Sequence, residues 1–136
     1  LFPFWINLWK IAITRLKVLS NDPDINLSKV FEYYGNIKVK IAKGWAARYV
    51  AEILLNMDNR HLSEAEDWAQ KAFEADESNG TMWSLACDYM LYSDLYQRKG
   101  DRKKAKENHS RAIEIFTECG AEGWRNKAEE QMAALL

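Results

Sequence analysis

The sequence predicts an all-α fold, an array of helical hairpins stacked as a solenoid. Three observations predict it. Only two prolines and six glycines interrupt 136 residues, which leaves long helix-length segments. Apolar residues recur at three- and four-residue intervals rather than alternating. The chain also matches itself when slid by forty residues, which is the mark of a stacked array.

Composition bounds the rest. At 48% hydrophobic and 29% charged residues the chain is globular, and its length suits one domain, 1–136. A net charge of −1 exerts no global pull on nucleic acid or an anionic membrane. Cys87 and Cys119 form no CxxC pair, which implies two thiols in a reducing, cytoplasmic compartment. The chain opens Leu1-Phe2-Pro3 without an initiator Met, so a C-terminal piece of a longer protein is expected. Lys10, Arg15 and Lys17 interrupt the apolar start, and no small-residue cleavage site follows it. Neither a membrane span nor a signal peptide is therefore expected.

The first helix is predicted over 4–19, with Trp5, Leu8, Trp9, Ala12, Leu16 and Leu19 at helical spacing, and the turn residues 20–24 end it. Leu27, Val30, Phe31 and Tyr34 mark a second helix, broken by Gly35-Asn36. A third runs from about Ile37 to Met57, with Ile41, Trp45, Tyr49 and Ile53 four apart. After the polar turn 58–61, Ser63 and Glu66 form the S-x-x-E box that would cap a fourth helix ending at Asn79-Gly80. The fifth, 81–99, is apolar around nearly its whole circumference, as expected of a helix buried on several sides. Gly100 and Asp101 supply a left-handed stop and an N-cap. The sixth helix carries Ala105, Ala112, Ile113 and Phe116 on one stripe, and the seventh Trp124, Ala128, Met132 and Leu135. The hairpins are then 4–34, 37–79 and 81–118, closed by a capping helix over 121–135.

The forty-residue shift sets Tyr49 on Tyr89, Leu55 on Leu95, Ala65 on Ala105, Ala72 on Ala112 and Gly80 on Gly120. A large aromatic, a glycine between helices and two alanines seven apart resemble the tetratricopeptide repeat. Tyr89, Tyr96, Gly100, Ala105 and Ala112 match it in one repeat, and Tyr49, Ala65 and Ala72 in the other. Arg60 stands where the inter-helix glycine would be, and Asn56 replaces the second aromatic. His109 and Ala69 replace the usual Phe, and no Pro closes either repeat. The phrases at 44–56, 63–76 and 99–121 resemble more particularly the C-terminal repeats of bacterial signalling proteins that join a nucleotide-cyclase domain to an ATPase module. No catalytic residue of that family falls within this chain.

The resemblance implies a right-handed solenoid whose inner helices line a concave, protein-binding face. Its positions are Ala47, Val50, Leu54 and Met57, then Cys87, Met90, Asp94 and Gln97. This surface suits an amphipathic helix or a neighbouring domain, and it lacks the Lys/Arg clamp for a terminal carboxylate.

Other chemistry is weakly signalled. His61 and His109 have no second ligand at metal spacing, and neither cysteine has a base nearby in sequence. The acids of 64–77, net −5, read as a solvated face, and the bases of 98–111, net +5, as its outer-helix counterpart. No Walker loop, GxGxxG or G-x-S-x-G occurs. The expectation is a non-catalytic protein-interaction or regulatory region of a signalling protein, without metal or cofactor. The alternative is homo-oligomerisation through Phe2, Phe4, Trp5 and Trp9. A basic-patch nucleic-acid binder, or a small-ligand binder lined by Tyr89, Tyr92, Tyr96 and Cys87, ranks below both.

Overall fold

The computed structural model describes residues 3–135, and the side chains of residues 5–135. Among these the chain is all-helical, with α1 (Pro3–Leu19), α2 (Leu27–Asn36), α3 (Lys40–Met57), a 3₁₀ turn (Asn59–His61), α4 (Leu62–Asn79), α5 (Met82–Arg98), α6 (Arg102–Glu118) and α7 (Glu122–Leu135). Neighbouring helices pack in pairs, and α1 lies against both α2 and α3. The chain gathers into two compact units, Leu1–Ala75 and Asp76–Leu136. No helix among the described residues is long and apolar enough to cross a membrane.

Four helix ends are built alike. Asn21, Gly80, Gly100 and Gly120 all take positive φ, at 58°, 67°, 82° and 71°. At each, two backbone bonds close the end; at α5 they are Asp101 N–H to Tyr96 O (2.9 Å) and Gly100 N–H to Gln97 O (3.1 Å). This is the Schellman arrangement, which satisfies carbonyls that the helix itself leaves unpaired. Asp101 then accepts the Lys104 N–H at 3.1 Å and starts α6, as the sequence predicts.

Three local expectations change. Ile37 does not begin α3; it is the extended C-cap of α2, fully buried, with its N–H on Tyr34 O. Ser63 does not cap α4, because Leu62 is already helical and Ser63 lies inside the helix, whereas an N-cap needs extended backbone. Asp58 caps the preceding 3₁₀ turn instead, accepting the Arg60 N–H at 2.8 Å. The buried side of α1 is Leu8, Ile11 and Val18, while Trp5, Trp9, Leu16 and Leu19 are exposed. A helix so apolar around its circumference gives periodicity no single face to choose.

In the first unit Trp68 of α4 holds α2: Phe31 stacks on it at 5.7 Å and Tyr34 meets it edge-on at 4.6 Å. Arg15 of α1 pairs with Glu52 of α3 and lies over the Tyr49 ring. In the second unit Ala86, Ala112, Ile115, Phe116 and Ala128 form the core. Trp124 of α7 closes it, edge-on to Trp83 at 5.1 Å and stacked on Phe116 at 6.0 Å. Ala65, Ala72, Ala105 and Ala112, which match under the forty-residue shift, are all buried, which lets helix backbones approach.

Candidate functional site

The second unit carries a cleft of about 230 Å³, of mixed polar and apolar lining, where α5, α6 and α7 meet. Ser93, Asp94 and Gln97 come from one face of α5, His109 from α6, and Gln131, Ala134 and Leu135 from the last turns of α7. Ser93 and Gln97 are one turn apart, as are Gln131 and Leu135, so each helix presents a short ladder to the cleft.

Its floor is a buried relay. His109 donates from Nε2 to the Ala128 carbonyl oxygen, 2.5 Å away. In the neutral ring Nδ1 is then an acceptor, and the Ser93 hydroxyl donates to it at 3.3 Å. Both side chains are buried. Asp94, Gln97 and Gln131 stand at the rim, exposed by area. Even so, the protein mass around the Asp94 carboxyl pushes its pKa above the usual carboxylate range, and the opposing pull of Arg98, joined by His109 only when its ring is charged, does not reverse this. Arg102 donates to the Leu135 carbonyl at 2.8 Å, which satisfies one of the last acceptors of α7.

Of the residues placed on the concave face, Asp94 and Gln97 meet in this cleft. Cys87 and Met90 are half-buried against the core of the second unit. Ala47, Val50 and Leu54 are at most 1% exposed and present no surface. Met57, at the end of the same helix, is half-buried and lines a groove of about 250 Å³ with Val18, Asn21, Pro23 and Ile25. Tyr49 and Tyr89 are half-buried, and Tyr96 stacks with Tyr92 at 6.3 Å.

Ser93, His109 and Gln131 were not singled out from sequence as cleft residues. His109 did carry a signal in the sequence, as one of only two histidines. Gln131 carried none.

The remaining candidates resolve locally. His61 bonds Asp58 through Nδ1 at 2.8 Å. That bond and those from Arg60 hold the Asp58 carboxyl down at a pKa of about 2. Asp76 is buried rather than on a solvated face, and the Thr81 hydroxyl donates to it. Beside the basic segment stands Tyr96 of α5: Lys99 and Lys104 lie 5.9 and 5.1 Å from its ring centre. Cys87 and Cys119 form no disulfide. Among the described residues no three His, Cys, Asp or Glu side chains gather as a metal site. Comparison with family models, curated proteins and solved structures gives no match to this chain.

Proposed function

We propose that the chain is a non-catalytic protein-interaction region of the tetratricopeptide type, cytoplasmic, with three hairpins and a capping helix in a right-handed array. It docks a partner segment, or a domain of a parent signalling protein, on its inner helices. The observation that carries this reading is the cleft, where Asp94 and Gln97 of α5 meet Gln131 of α7. Contact of α1 with both α2 and α3, and the buried alanines at matching positions, support the repeat architecture.

The test is an immobilised peptide library probed with the full chain. Peptides are expected whose binding weakens when Gln97 and Gln131 are both changed to Ala, and is untouched by Trp9→Ser. If no peptide binds, or if binding follows Trp9 instead, the reading is wrong.

A second reading, self-association, has its own observation. Trp5, Ile6, Trp9, Ile13 and Leu16 are all exposed along one side of α1, Trp9 at 68% and Leu16 at 58%. An apolar face of that extent is the kind that marks an interaction site.

A further inference from the structure

The cleft of the second unit is a site of acceptors. Because Nε2–H of His109 is committed to the Ala128 carbonyl, the Ser93 proton is drawn to Nδ1. The lone pairs of the Ser93 oxygen remain available as acceptors. Asp94 contributes a carboxylate, and Gln97 and Gln131 contribute amide oxygens that can turn inward. Leu135 adds an apolar wall beside the C-terminal end of α7, where the helix dipole is negative. An anion would face Asp94; the nearby Arg102 guanidinium is already bonded to the Leu135 carbonyl, and Arg98, one turn beyond Asp94 on α5, acts on the Asp94 carboxyl without lining the cleft.

Size narrows the occupant. At about 230 Å³ the cleft is smaller than the ~300–1,000 Å³ of pockets for drug-sized ligands, so it suits one side chain. Its acceptors come from different helices. Three N–H donors radiating from one nitrogen can reach them, whereas a guanidinium fork prefers the coplanar oxygens of one carboxylate.

We propose that this cleft binds the ammonium group of a lysine side chain in the docked partner segment, with the lysine stem against Leu135. The proposal rests on the docking reading above and adds the chemistry that the docked segment must carry. Asp94 is the anchor: among the described residues it is the one carboxylate lining the cleft, and at the rim it offers the negative charge that an ammonium pairs with.

The probe is a capped pentapeptide, Gly-Ala-Lys-Ala-Gly, titrated into the full chain. The Gln97 and Gln131 side-chain amide signals are followed by nuclear magnetic resonance. Saturable shifts are expected. Replacing the peptide lysine by norleucine, or changing Asp94→Asn in the protein, should weaken binding about tenfold or more. Gln131→Lys, which places the protein's own ammonium in the cleft, should block it. Three results would overturn the proposal: no saturable shift, norleucine binding as well as lysine, or undiminished binding by Asp94→Asn. Butylammonium binding as tightly as the peptide would assign the site to a free amine and also overturn it. Library peptides that bind through Gln97 and Gln131 without a lysine would remove this inference and leave the docking reading standing.

Discussion

The Nε2 of His109 lies 2.5 Å from the carbonyl oxygen of Ala128, so an imidazole ties α6 to α7. The same ring accepts from Ser93 on α5, and one side chain therefore bonds across three helices. Replacing only the ring strands the Ser93 hydroxyl, whereas replacing both partners removes the demand. His109→Phe is expected to cost about 1–3 kcal/mol, the penalty for an unsatisfied buried group. Ser93→Ala combined with His109→Phe should cost less than the sum of the two single changes. Urea unfolding of the four proteins in the cycle measures this, and additive losses would show that the relay is not coupled.

Two glycines should respond to alanine with opposite signs. Gly100 holds φ +82°, where a Cβ is disfavoured by about 1–2 kcal/mol although nothing crowds it. Gly35 lies within α2 without positive φ, and an added Cβ meets nothing within 4 Å. Gly100→Ala should therefore destabilise by about that amount, and Gly35→Ala should stabilise by up to about 1 kcal/mol. Thermal unfolding gives both signs directly.

Asp58 links the turn before α4 to pH. Bonds from His61 and Arg60 lower its folded pKa from 3.8 to about 2. A depressed acid pKa adds stability that is complete above the unfolded value and is lost as pH falls through the folded one. The stability difference between the natural chain and Asp58→Asn should thus shrink between pH 3.8 and about 2. Unfolding curves across that window test it, and a difference that persists at the acid end would mean the carboxylate charge is not what stabilises the turn.

The helical class and the helix ends are legible because their signals are local. Gly80, Gly100 and Gly120 stop helices through backbone conformation that few other residues accept, and Asp101 caps through its own side chain. The site was legible only in part. Asp94 and Gln97 were placed on a working face, but Gln131, thirty-four residues beyond Gln97, reaches the cleft through helix packing that no local pattern encodes. Burial is also hard to read where a helix is apolar on several sides. Ala47, Val50 and Leu54 lie on α3, which is buried over much of its surface, so a helix-face assignment could not separate lining from core.

The exposed side of α1 makes the last prediction. Trp5, Trp9, Ile13 and Leu16 recur at four- and three-residue steps and present one apolar side to solvent. Lys10, Arg15 and Lys17 are the only charges on α1, and it carries no acid. Two such faces brought together bury apolar area; Arg15 is already paired with Glu52 and Lys17 with Asp24, so the like-charge approach comes mainly from Lys10. Self-association should therefore strengthen as salt screens that repulsion, opposite to the trend for a contact held by ion pairs. Trp9→Ser should weaken it at every salt concentration while leaving thermal stability within about 0.5 kcal/mol, because an exposed side chain contributes little to folding. Sedimentation equilibrium over a salt series reads both effects. Association that falls with salt, or that ignores Trp9, would exclude the α1 face as its origin.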